Sequence, residues 1–213
     1  MNYDRLIDRL AEDLKPVRRR RLGWDIFIVA VICAGELAVF FALGLARPDM
    51  PMMMQQPTVW WRLASLGLIS VISGSLAIRS FNPVYSPRLG IRWLAVIVAI
   101  CLVFGFCISA GPHGLDAIVQ RLNWRDGLQC ASKMIALSMP PLVGLSVLMH
   151  RGAPTDTSRT ALLVGLAAAA WGAFVFVFAC PFDDPLYIAA WYSVGCGSVT
   201  LLARLVLPRF TAW

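Results

Sequence analysis

The sequence has little charge, two histidines and none of the short motifs that mark the common enzyme classes. Of its 213 residues 15% are charged and 59% hydrophobic, and the mean hydropathy is +0.70. A soluble domain of this length has no use for so much apolar surface. The expected class is therefore an all-α integral membrane protein, with lipid as the solvent for most side chains. No GxSxG, HExxH or glycine-rich phosphate loop with lysine occurs, which removes the usual hydrolase, metalloprotease and nucleotide-binding readings. There is no CxxC, and His113 and His150 have no metal-ligating neighbour at helical spacing, so no local zinc motif exists. The two histidines also fall on opposite sides of the apolar runs, too far apart to ligate one haem iron. The expectation is a non-enzyme without a cofactor.

What the chain does have is apolar runs of about 20 residues, near 24–45, 60–78, 91–110, 128–149, 160–180 and 186–207. They predict a bundle of six transmembrane helices over 24–207, with a segment 1–23 before it and a tail 208–213 after it. The first run is longer than the roughly 7 to 15 residues of a signal core and follows Arg18 to Arg21, so it reads as a retained span. Lys and Arg number fourteen on the N-terminal side of the spans and four on the other side, namely Arg47, Arg62, Arg121 and Arg125. By the positive-inside rule both termini are cytoplasmic. The net charge of +7 is thus a topology signal, and no direct contact with nucleic acid is expected.

Residues 2–15 pattern as an amphipathic helix, with Tyr3, Leu6, Ile7, Leu10 and Leu14 on one stripe, Asp4, Asp8, Glu12 and Asp13 opposite, and Pro16 as the stop. So short a helix needs something to dock on. Its acidic face argues against an anionic lipid surface; a protein partner and the protein's own membrane domain are the readings left.

Cys130 and Cys180 carry the strongest chemical signal. Each lies 25 residues from Thr155, the centre of the turn between the fourth and fifth runs. Both sulfurs therefore end at one height, about 30 Å from that turn and on the non-cytoplasmic face. Cys130 opens a helix, where the macrodipole favours thiolate, and Lys133 lies on the same face as an activating charge. Cys180 closes a helix, where the dipole opposes ionisation. Cys130 is thus the expected attacking thiolate and Cys180 the resolving thiol, with a sulfenic acid on Cys130 captured as a disulfide. A permanent structural disulfide and a chance placement remain as alternatives. Cys33, Cys101 and Cys196, in mid-run, read as inert small hydrophobes, with Cys107 less settled. If a metal ion binds, the residues in reach are Cys130, Cys180, His113, Asp183 and Asp184, although adjacent acids in a Pro-bounded turn usually form a solvated cap. Glu36, halfway along the first span, must face the bundle or be protonated, and Lys133 is at a suitable height to partner it. Gly165, Ala169 and Ala173 share one face and read as helix packing. Pro140 and Pro141 should bend the fourth span, as a hinge or as a fixed kink.

With these residues in view the chain resembles the negative regulator of sigma-F (NrsF-type) family of membrane anti-sigma factors. The marks are Leu6-Ile7-x-x-Leu10-Ala11-x-Asp13-Leu14-x-Pro16-Val17, Arg47-Pro48-Asp49, Cys130, Arg151-Gly152-Ala153-Pro154, Cys180-Pro181 and Trp191-Tyr192, in this order along nearly the whole length. The Met50-Pro51-Met52-Met53-Met54 segment stands apart from them and reads as plain loop. The resemblance implies a six-helix protein of the bacterial inner membrane whose cytoplasmic N-terminal segment holds an extracytoplasmic-function sigma factor. It also implies that Cys130 and Cys180 are a pair linked to oxidative or heavy-metal stress. The competing reading is a membrane thiol oxidoreductase or a metal-binding transport protein that uses the same cysteines.

Overall fold

The computed structural model describes residues 21–109 and 124–211, the side chains at 105–109, 185, 186 and 211 excepted. The expected N-terminal helix with Tyr3, Leu6, Ile7, Leu10, Asp13 and Leu14 lies outside the described residues, as do His113 and Asp116.

Among the described residues there are seven helices and no strand: α1 (Leu22–Ala42), α2 (Met50–Met53), α3 (Pro57–Ser80), α4 (Arg88–Ser109), α5 (Trp124–His150), α6 (Thr157–Phe176) and α7 (Pro185–Thr211). Five of them, α1, α3, α5, α6 and α7, contain stretches long and apolar enough to cross a membrane. The 22-residue α4 is of similar length. The helices begin where local chemistry allows it. Pro57 sits in the first turn of α3, where a missing N–H costs nothing. Asp156 caps α6 by accepting from the Arg159 backbone N–H at 2.9 Å.

The bundle is built around α6, most of whose residues are buried. Small residues make this possible, since without water no hydrophobic force drives helices together and close backbone approach must substitute for it. The expected stripe of Gly165, Ala169 and Ala173 is buried throughout its alanines. A Cβ on Gly165 would stand 2.9 Å from the Thr200 Cα of α7, and one on Gly172 would stand 2.7 Å from the Ser138 backbone nitrogen of α5. The α5 helix runs on through Pro140 and Pro141 to His150.

Side chains on α6 divide between two buried clusters. One gathers Leu145, Leu148 and Met149 with Ala161, Leu163 and Val164 at the α5–α6 turn, where the Ala153 N–H donates to the Phe81 carbonyl at 3.2 Å. The other, at the far end, gathers Met50, Met53, Leu63, Cys130, Met134, Phe176, Cys180, Tyr187 and Tyr192. The methionine segment is therefore not plain loop: it forms α2 and buries Met50 and Met53 against the cysteine end.

The α1 helix is peripheral, with Trp24, Phe27, Val31, Val39 and Phe41 exposed as lipid-facing residues would be. Glu36 reaches inward, but not to Lys133, which is exposed. Its Oε2 accepts instead from Trp171 Nε1 on α6 at 3.0 Å. An indole N–H, donor only, satisfies a carboxyl oxygen without bringing a second charge into the bundle.

Candidate functional site

Pro181 determines the local shape of the cysteine end. A proline lacks the N–H that a continuing helix needs and pushes the residue before it out of helical conformation. The helix consequently stops at Phe176, a turn covers 177–179, and Cys180 lies in the irregular connector rather than at a helix end. The Cys180 backbone N–H still donates to the Phe176 carbonyl at 2.9 Å, one turn beyond the helix end.

The structure brings Cys130 and Cys180 together. Both thiols are free and buried, at 5% and 1% exposure, and they belong to one buried cluster. Tyr187 Oη donates to Cys130 Sγ at 3.6 Å, and Cys180 Sγ donates to the Phe182 carbonyl at 3.6 Å. Aromatic rings close the surroundings: Phe182 and Tyr187 are tilted together at 4.5 Å between centroids, and Phe176 and Tyr192 lie 6.0 Å apart. Trp191 packs so tightly on Gly127 that any Cβ there would enter the indole.

Two arginines fix the connector. Arg47 donates its backbone N–H to the Phe178 carbonyl at 2.9 Å and one guanidinium nitrogen to the Cys180 carbonyl at 2.8 Å. The same guanidinium pairs with Asp49 through two bonds of 2.6 Å and with Asp183 at 3.2 Å. The Arg47 contact with Asp49 holds the Asp49 carboxyl below its ordinary pKa. Arg62, 8% exposed near the start of α3, donates to the Asp183 carbonyl at 3.0 Å and the Phe182 carbonyl at 3.4 Å. These are charge-assisted bonds, stronger than neutral ones.

This environment also acts on the Cys180 thiol. The Cys130 thiol beside it lowers the Cys180 pKa most; burial opposes; and the Phe182 backbone, the Tyr192 hydroxyl and the Arg62 charge lower it further. Lys133 is exposed on the bundle surface.

The metal reading finds little support in the same groups. Asp183 is occupied by Arg47 and Arg62. No group of three or more His, Cys, Asp or Glu able to hold an ion occurs among the described residues. Two neighbouring thiols buried among aromatic rings are suited to reversible disulfide chemistry.

Sequence reasoning found the cysteines and missed Arg62, Tyr187 and the buried face of α2. A charged residue inside an apolar helix was the available signal for Arg62. Tyr187 and the methionines gave none, because their roles depend on contacts between distant segments.

A family described as "Negative regulator of sigma F" matches residues 10–213. The chain is 29% identical over 212 residues, 95% of each chain, to the anti-sigma-F factor NrsF of Caulobacter vibrioides (strain NA1000 / CB15N). No solved structure matches it.

Proposed function

The chain belongs to the negative regulator of sigma F family, and on that premise we propose that it is a six-span inner-membrane anti-sigma factor with both termini in the cytoplasm. An anti-sigma factor has a sigma factor as partner, and the partner here is of the extracytoplasmic-function type. It is held by the segment with Tyr3, Leu6, Ile7, Leu10, Asp13 and Leu14. Cys130 and Cys180 face the periplasm, and their oxidation to a disulfide loosens that hold.

The observation that carries this reading is the meeting of two free thiols, fifty residues apart in sequence, in one buried cluster at the end of α6 opposite the α5–α6 turn. Bridged cysteines need Cα atoms at about 5.5 Å, closer than the roughly 8–10 Å between packed helix axes, so bond closure draws α5 against the connector. The connector is tied by Arg47 and Arg62 to the α1–α2 link and to α3. Movement at the sulfurs therefore reaches α1, which leads to the N-terminal segment. A tenfold loss of affinity needs only about 1.4 kcal/mol of coupling.

The binding half of this reading is tested by affinity capture. Full-length reduced protein retains an extracytoplasmic-function sigma factor, and a chain lacking residues 2–15 loses it. Undiminished capture by the shortened chain contradicts the assignment of the binding segment.

A further inference from the structure

Between α3, α4, α6 and α7 lies a cavity of about 440 Å³, within the roughly 300–1,000 Å³ of small-molecule sites. Among the described residues neither Cys130 nor Cys180 lines it. The space arises because α4 packs on α3 and α7 but barely meets α6, and because α7 turns Ala189, Ser193, Cys196 and Gly197 towards it. On α7 the lining runs from Ile188 to Arg204, a length of about 24 Å at 1.5 Å per residue. Polar side chains in the wall are spent on nearby backbone. The Ser65 hydroxyl donates to the Arg62 carbonyl at 3.1 Å, the Thr200 hydroxyl to the Cys196 carbonyl at 2.7 Å, and the Cys196 thiol to the Ala169 carbonyl at 3.6 Å. What is left facing the space is almost wholly apolar, and its length suits an extended hydrocarbon chain.

An arginine stands at each end, and the two differ. Arg62, at the cysteine end, is buried and already engaged by Asp183 and by two backbone carbonyls. Arg204 lies towards the α5–α6 turn, one residue beyond the Ala203 that packs on Gly165. It is exposed, and its guanidinium has no hydrogen-bond or ion-pair partner among the described residues. Carboxylates at that end are not on offer: Asp25 is buried in α1 and Asp156 is paired with Arg159. Arg79, Arg88, Arg92 and Arg151 add to the positive charge there. An anionic head group therefore belongs at Arg204, and Arg62 does not compete for it.

We propose that this cavity is a binding site for an anionic phospholipid, with one acyl chain lying along α7 between α4 and α6 and the phosphate at Arg204. An apolar cavity does not hold water, and left empty its lining forfeits the dispersion contacts of a packed interior. Bilayer hydrocarbon is the material at hand to fill it. A guanidinium presents paired N–H donors that match phosphate oxygens in charge and geometry. With the topology proposed above, the head lies in the inner leaflet. The bound chain ties α4 to the central helix, a role separate from the redox chemistry of the cysteines.

The test is native mass spectrometry of the full-length protein in detergent with equal amounts of palmitoyl-oleoyl phosphatidylglycerol and palmitoyl-oleoyl phosphatidylcholine. The expected result is one phosphatidylglycerol retained per chain, at least tenfold over phosphatidylcholine. Arg204→Gln abolishes that preference. Gly197 lines the cavity and has open space where a Cβ would be. Gly197→Trp fills it and cuts retention at least tenfold, whereas Leu202→Trp, on the exposed face of α7, leaves retention unchanged. Should Gly197→Trp fail to fold, photolabelling of the wild type by a phosphatidylglycerol with a diazirine on one chain replaces it; the expected label lies on the lining segments 62–69, 98–102 and 189–201. Equal retention of the two lipids, a preference that survives Arg204→Gln, retention in Gly197→Trp equal to the wild type, or label confined to other segments overturns the site. Each of these results leaves capture of a sigma factor and closure of the disulfide to be judged by their own experiments.

Discussion

The Arg47 guanidinium donates to the Cys180 carbonyl at 2.8 Å across 133 residues of sequence. It links the segment after α1 to the sulfur-bearing connector, and it explains why an arginine stands beside an aspartate directly after the first apolar helix. Asp49 and Asp183 neutralise the charge, while the fork of the guanidinium holds three acceptors at once.

Lysine cannot reproduce that fork. Arg47→Lys and Arg47→Ala should both lower the thermal stability of the reduced protein in detergent, Arg47→Ala by about 1–3 kcal/mol through the unpaired Cys180 carbonyl. An Arg47→Lys melting curve that overlays the wild type contradicts the clamp.

The acidity of Cys180 has a kinetic signature. A lowered pKa means the thiolate is already abundant below the ordinary thiol value of about 8.5. The rate of disulfide closure by peroxide should therefore rise with pH and level off below that value. Arg62→Gln removes a lowering charge and should move the plateau to higher pH. A midpoint at the ordinary value in the wild type shows that the neighbours of Cys180 do not act as described.

How much of this was legible from sequence depends on the range of the interaction. The long helices followed from apolar runs and the meeting of Cys130 with Cys180 from their equal distance to Thr155, because helical rise is a fixed quantity. The partner of Glu36 did not follow in the same way: height along a span selects Lys133, but facing direction selects Trp171. The partners of Arg47, Arg62 and Tyr187 were beyond reach, since their contacts lie between segments 57 to 136 residues apart.

The Glu36 contact is open to a double-mutant cycle. Trp171→Phe strips Oε2 of its donor, while Oε1 already lacks a partner among the described residues. It should cost about 1–3 kcal/mol, and much less in a Glu36→Leu background. Equal costs in the two backgrounds show that the bond contributes nothing to stability.

Close packing of α5 on α6 gives a steric prediction. Gly172→Ala places a Cβ 2.7 Å from the Ser138 nitrogen and 2.9 Å from the Met134 carbonyl oxygen, and should destabilise the bundle by roughly 1–3 kcal/mol. Gly35→Ala, with nothing within 4 Å, should be neutral or stabilising. Similar melting temperatures for the two variants contradict the approach of these helices.

In the proposed function the redox state of two sulfurs governs the hold on a sigma factor. The direct measurement is the affinity of the captured sigma factor for full-length protein in nanodiscs, reduced and after disulfide closure, with Cys130→Ser/Cys180→Ser as reference. The account predicts at least tenfold weaker binding after closure and no response to oxidant in the double variant. Equal affinity in both states of the wild type, or an oxidant response that survives in the double variant, contradicts it.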